Sequence, residues 1–325
     1  MRRIPMSAVD EASRAICTAA VRTPLVRLDV PVVAQDGRPA EIYLKLECLQ
    51  PIGSFKLRGA FNAVRQLSPE QLAGGVWTVS AGNAAQGVAF AARAAGASCS
   101  VMVMDTAPAT KVRAIERLGA AIVRATYDEC WQTVERHGSD RMHGHFVHPF
   151  DDDAFIAGNA TAAVEILEDL PDVSAIVAAI GGGGLLSGIG TVIGATRPDV
   201  RVFAAEPETA APLATSLAAG APARFEAWTA SFVDGAGGRS VLPSMWPLLR
   251  DAVAGSLVVS LDEAAAAMAT VAERLHVIIE GAAACAVAAA LSGRAGSGKV
   301  VAVVSGGNID LTRFATLVGA CPPQA

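Results

Sequence analysis

Four short segments of the 325-residue sequence combine residue types that can do chemistry. In Ser54-Phe55-Lys56-Leu57-Arg58-Gly59-Ala60, a lysine stands between two apolar residues where a helical pattern opens, after the turn Gln50-Pro51-Ile52-Gly53. Burial disfavours an ammonium ion, and the neutral amine that results is both a nucleophile toward carbonyls and a base. On spacing alone, the commoner reading is a lysine that snorkels at a helix start. Ser80-Ala81-Gly82-Asn83-Ala84-Ala85-Gln86-Gly87 follows a strand-like run and opens a helix. Free amides and the helix dipole can hold a carboxylate there, although a plain Ser/Asn helix cap leaves the same trace. Gly181, Gly182, Gly183 and Gly184 make a turn whose amides can approach a phosphate without side-chain obstruction; a flexible turn has the same composition. Ser305 heads Ser305-Gly306-Gly307-Asn308 after the run KVVAVV, as a ligand-facing hydroxyl or as a turn serine.

SFKLRGA resembles the cofactor-lysine motif of fold type II pyridoxal phosphate (PLP) enzymes, in particular the threonine and serine dehydratases and serine racemases. The threonine synthase branch typically has an acidic residue just after the lysine, where this sequence has Leu57 and then Arg58. Other motifs follow in the family's order, from Arg22-Thr23-Pro24-Leu25 to Ser305-Gly306-Gly307-Asn308. The resemblance implies a two-domain α/β fold of the tryptophan synthase β kind, with parallel sheets covered by helices on both faces. Residues 1–66 and 148–325 would form a large PLP-binding unit, and residues 67–147 a small unit carrying the substrate loop. It further implies PLP bound covalently to Lys56. The phosphate would lie on Gly181, Gly182, Gly183, Gly184 and Leu185, and the ring beside Phe55, Asn83, Gly235 and Glu280, with its nitrogen on Ser305. Ser80, Ala81, Gly82, Asn83 and Ala84 would cradle the substrate carboxylate.

The activity implied is elimination of water from a β-hydroxy amino acid such as L-threonine or L-serine, giving a 2-oxo acid and ammonia, with Lys56 as the base. A serine at the ring nitrogen, unlike an aspartate, does not keep it protonated, which favours elimination over transamination. Racemisation is the alternative. Racemases that resemble this chain carry a serine where it has Ala81, which weakens that reading. A non-catalytic PLP-binding relative is opposed by the joint presence of Lys56, Asn83 and Ser305. One departure bears on the substrate: the family usually has histidine where this chain has Ala84, a change that enlarges or depolarises the pocket. Some relatives bind a divalent cation through a glutamate, a carbonyl and an aspartate. Glu206 and Ala210 match, but Pro212 brings no side-chain oxygen where the aspartate would be, so no tightly bound metal is expected.

The elements that must position these residues read as alternating strands and helices: AEIYLKLE and a helix near Ser54, GVWTVS and a helix after Gly82, CSVMVM and ATKVRAIERLG, AAIVRA and a helix near Asp128. The rhythm resumes with SAIVAAIG and a helix from Leu185, RVFAAEP and a helix near Ala211, and ends on KVVAVV. Strands joined through helices imply right-handed crossovers and parallel sheets, with ligands at the carboxyl ends of the strands. Composition agrees, since 52% of residues are hydrophobic but only 5% aromatic, the surplus being small and aliphatic.

Several functions are disfavoured. With 26 basic against 31 acidic residues, the chain lacks the basic excess that nucleic-acid binding requires. The uncharged stretch from Val173 to Thr196 could span a bilayer, but its central glycines suit a strand, a turn and a helix instead. No GxGxxG fingerprint supports a dinucleotide enzyme. Gly293 to Lys299 nearly spells a P-loop, yet Val300 follows where Ser or Thr is needed, and the segment precedes a strand. His143, His145, His148 and Asp151 to Asp153 resemble a metal cluster only in composition; a strand-like stretch does not put those rings on one side. The cysteines at 17, 48, 99, 130, 285 and 321 form no CxxC pair. The expectation is a cytoplasmic homodimer acting on a small amino acid, with no export signal and no C-terminal regulatory domain.

Overall fold

The computed structural model describes residues 2–321; residues 1 and 322–325, the outermost of the expected large unit, lie outside it. Short runs rich in Val, Ile and Ala form the strands β1 (Leu25–Val33), β2 (Pro39–Lys45), β3 (Val76–Val79), β4 (Cys99–Met104) and β5 (Ala121–Ala125). Five more follow: β6 (His145–Phe146), β7 (Val173–Ala179), β8 (Arg201–Pro207), β9 (Gly255–Val259) and β10 (Gly298–Val303). They make two sheets, one ordered β1-β2-β10-β7-β8-β9 and the other β5-β4-β3-β6.

The smaller sheet is parallel, and so is the larger one from β2 onward. The exception is β1, which pairs antiparallel with β2, so the larger sheet is mixed rather than purely parallel. The cause is local. A short turn joins β1 to β2, with Gly37 at φ 77°, and a hairpin needs no crossover helix. Pro31 falls at the register shift between Leu28 and Val32, on an edge strand where a missing amide is tolerated.

Alternation along the central strands gives the larger sheet two apolar faces. Ile176, Val301 and Val303 face the helices Asp153–Asp169 and Gly184–Thr196; Ala175, Val177, Val300 and Ala302 face Leu261–Leu275 and Gly281–Leu291. The last of these helices, GAAACAVAAAL, is buried along almost its whole length, its methyl side chains letting it lie close against the sheet. A third cluster packs the helices Lys56–Val64 and Asn83–Ala94 against the small sheet through Ala60, Val88, Val101 and Val103. Among the described residues, no helix is long and apolar enough to cross a membrane; Val173 to Thr196 divides into β7, a turn and a helix.

The helix that begins at Lys56 is locked in place by buried charges. Arg58, with no exposed surface, donates from Nε to Glu47 Oε2 at 2.8 Å and from Nη1 to Glu165 Oε1 at 2.7 Å. Lys45 Nζ also donates to Glu165, at 2.6 Å, and Thr23 Oγ1 to Glu47, at 2.6 Å. Each buried charge thus meets an opposite partner, the condition under which burial is tolerable. Gly158 lets the helix Asp153–Asp169 approach this one: a Cβ there would lie 2.4 Å from the carbonyl oxygen of Arg58.

Candidate active site

Three strand ends converge on one cavity of about 600 Å³. β3 runs into Ser80, β7 into Gly181 and β10 into Ser305, and all three turns contribute lining. Backbone hydrogen bonding joins the lysine segment to the last turn, since the Phe55 amide donates to the Ser305 carbonyl at 3.0 Å.

Lys56 is the first residue of its helix, and its side chain reaches into this cavity. Nζ donates to the carbonyl oxygen of Pro149 at 2.6 Å and lies 5.3 Å from the centroid of the Phe55 ring. Burial draws the amine down to about 8, with the Glu280 carboxylate pulling the other way. The Pro149 segment is itself held by His148, whose Nδ1 accepts the Asp151 amide at 2.8 Å while Nε2 donates to the Val134 carbonyl at 3.2 Å. Burial, assisted by the nearby His137, holds the His148 ring down at about 4, so it is neutral near pH 7, as one accepting and one donating nitrogen require.

The glycine turn has no room for side chains. A Cβ on Gly181 would lie 2.6 Å from the Gly235 carbonyl oxygen, and one on Gly182 would lie 2.2 Å from the Phe150 ring. Gly183 takes φ 96°, and no side chain caps the helix that starts at Gly184, so its first amides remain available to an anion. The helix Asn83–Ala94 likewise lacks a side-chain cap. Ser80 Oγ accepts the Gly82 amide at 3.1 Å and shapes the loop before it.

Asn83 crosses the cavity floor. Its Nδ2 donates to Glu280 Oε1 at 2.8 Å, and its Oδ1 accepts from Asn308 Nδ2 at 2.7 Å. Burial, reinforced by Asp234, pushes the Glu280 carboxyl up to about 7 despite the Asn83 bond. Phe55, Lys56, Ser80 to Ala84, Gly181 to Leu185, Gly235, Glu280 and Ser305 all border this one cavity. Residues given no role from the sequence border it too: Pro149 and Phe150, Asn308, and the paired Lys111 and Asp234. Asn308 stood within a recognised segment, but nothing in the spacing of either residue reveals the contacts of Pro149 to Lys56 and of Asn308 to Asn83.

The other candidates lie elsewhere. Glu206 is buried, and its carboxylate accepts the Leu213 and Ala214 amides at 2.8 Å each, together with the Ser256 hydroxyl. His143 and His145 stay apart from His148. His137 approaches instead, so that ligand atoms of His137, His148 and Asp151 fall within 4.8 Å of one another. Both nitrogens of His148 are engaged with backbone, and Asp151 is engaged by Arg2 and by Ser244, at 2.6 Å. Gly298 and Lys299 of the P-loop-like stretch are part of β10.

Comparison with known proteins decides what this geometry belongs to. The family described as "pyridoxal-phosphate dependent enzyme" matches residues 16–306. The chain belongs to that family. It is 36% identical over 318 residues to the L-threonine ammonia-lyase of Thermotoga maritima, covering 97% of this chain and 78% of the relative. It is 38% identical over 288 residues to the serine racemase of Homo sapiens, covering 85% of this chain and 84% of the relative. The solved structure of maize serine racemase superposes with a TM-score of 0.87 at 31% identity, over 97% of both chains. The cavity fits the cofactor that defines the PLP-dependent family: a part-buried amine, an uncapped glycine-lined helix start and a hydroxyl at a strand end border one space.

Proposed function

We propose that this enzyme removes water from a β-hydroxy α-amino acid and releases a 2-oxo acid and ammonia. The observation that carries the reading is the placement of the Lys56 amine, drawn down to about 8, in the cavity bordered by the uncapped Ser80–Ala84 loop. The amides of that loop bind the substrate carboxylate. Gly181 to Leu185 hold the cofactor phosphate, and Ser305 faces the ring nitrogen. Bound PLP supplies the electron sink that makes the α-proton acidic. Lys56 takes that proton, with the Pro149 carbonyl orienting its amine. The β-hydroxyl departs as water with the proton that Lys56 took up, and the released enamine takes up water to give the oxo acid and ammonia. The relatives include enzymes named L-threonine ammonia-lyase, which supports this assignment. Racemisation needs a second acid, and Ala81, which borders the cavity, brings only a methyl group.

The same reading takes residues 67–147 as the unit that carries the substrate loop and residues 1–66 with 148–325 as the PLP-binding unit. It places the enzyme in the cytoplasm, where the thiols of Cys99, Cys130 and Cys285, all buried, stay reduced. A second copy of the chain would cover the exposed Leu49, Ile278 and Leu311.

The test is direct. Purified protein given PLP turns yellow, borohydride fixes the label at Lys56, and unreduced enzyme forms oxo acid from β-hydroxy amino acids. Protein that takes up no PLP rejects the cofactor site, and loaded protein that forms no oxo acid rejects elimination.

A further inference from the structure

The peptide plane between Pro149 and Phe150 has a partner at each end. Its carbonyl oxygen accepts from Lys56 Nζ at 2.6 Å, and its N–H donates to His148 Nδ1 at 3.3 Å. In a trans peptide the C=O and N–H share one rigid plane and point opposite ways, so whatever fixes the N–H end also fixes where the carbonyl points. The same Nδ1 accepts the Asp151 amide at 2.8 Å, closing the turn that follows.

His148 is in turn held on several sides. It is 2% exposed, its Nε2 donates to the Val134 carbonyl at 3.2 Å, and its ring stands edge-on to Phe150 with the centroids 4.7 Å apart. The His137 ring lies 4.5 Å away, centroid to centroid, and its Nε2 meets Asp151 Oδ2 at 3.0 Å. The Asp151 end of the turn is anchored by Arg2 and by the Ser244 hydroxyl. On its other side the turn abuts the glycine turn, where a Cβ on Gly184 would lie 2.9 Å from the Phe150 carbonyl oxygen. The acceptor at this point has to be neutral. A carboxylate could take both amides, but its charge would favour the ammonium form of Lys56, which is no base.

We infer that His148 is a positioning residue: through the Pro149–Phe150 peptide it aims the Lys56 amine at the α-proton of the substrate. This rests on the role of Lys56 proposed above, and the loss of a β-hydroxyl does not enter it.

The test uses the holoenzyme in deuterium oxide with L-alanine, which has an α-proton but no β-hydroxyl, and NMR follows exchange of that proton. His148→Asn keeps an acceptor near the place of Nδ1 but does not reach Val134; His148→Gln places its amide near Nε2 instead. The asparagine variant retains the maximal exchange rate to within about threefold, whereas the glutamine variant loses about thirtyfold or more at an unchanged half-saturating alanine concentration. A purely structural role would lower the melting midpoints of both variants and leave the maximal rates of the folded enzymes alike. Equal rates in the two variants, or a glutamine variant as fast as the wild type, overturn the inference, as does a wild-type enzyme that exchanges no α-proton. Isotope-labelled histidine, read by NMR in the wild-type protein, gives a check that no folding defect can obscure: the neutral ring carries its proton on Nε2, and a proton on Nδ1 overturns the inference. The asparagine-over-glutamine order upholds it even where no β-hydroxy amino acid yields oxo acid, a result that sinks elimination alone.

Discussion

Lys56 Nζ and the carbonyl oxygen of Pro149 are 2.6 Å apart, so the amine of the helix Lys56–Val64 is aimed by a backbone group 93 residues away in the chain. A carbonyl can orient an amine without competing for its chemistry, because it accepts a hydrogen bond and cannot take the proton. Lys56→Ala is expected to keep its circular dichroism, to lose borohydride-fixed label, and to form oxo acid at least about a thousandfold more slowly. Retained labelling at another lysine would show that the cofactor is anchored elsewhere.

Loading of apo-enzyme with PLP should depend on pH through the same amine. Only neutral Lys56 attacks a carbonyl, and its pKa is drawn down to about 8, so the loading rate rises with pH and levels off above that value. Glu280 favours the ammonium form, so Glu280→Gln lowers the pKa further and moves the profile to lower pH. Stopped-flow absorbance reads both curves, and a shift to higher pH would contradict the electrostatic assignment.

Gly182→Ala is expected to weaken PLP binding and to lower the thermal midpoint. The added carbon meets the Phe150 ring at 2.2 Å, and relieving such overpacking costs about 1–3 kcal/mol. Fluorescence titration with PLP and a melting curve of the apo-protein separate the two effects.

Glu47→Gln should cost about 3–5 kcal/mol in urea unfolding at neutral pH, because it leaves Arg58 buried with half its charge pairing gone. Burial alone would raise the Glu47 pKa, but the charge and hydrogen bonds of Arg58 outweigh it and hold the carboxyl below its ordinary 4.5. A depressed carboxylate adds stability above that value and loses it as pH falls below. The wild-type protein therefore loses more stability between pH 7 and acid than the glutamine variant does.

Much of the fold is legible because buried parallel strands are written as short, largely apolar runs. CSVMVM and RVFAAEP coincide with β4 and β8 to the residue. The edge strand β1 is harder to read because Arg27, Asp29 and Pro31 interrupt it, and only its partner β2 makes it a strand. The helix Gly281–Leu291 hides for the opposite reason: apolar on every side, it shows no helical period. At the site, turns and a lysine between apolar neighbours mark where chemistry can occur. The contacts that tune it do not show in the sequence, since Asn308 meets Asn83 across 225 residues. That His137, rather than His143 or His145, comes beside His148 follows from the path of the chain between the helix Tyr127–Arg136 and β6, which strand spacing does not encode.

The position of β10 between β2 and β7 has a consequence for how the protein is made. Until residues 298–303 leave the ribosome, β2 and β7 have no strand between them, and each exposes an unpaired edge able to recruit other chains. Pairing across so much sequence is slow. A nascent chain therefore carries these two unpaired edges through most of its synthesis. Ser305, which follows β10, joins the cavity in the same closing event, so the cavity is complete only once the larger sheet is.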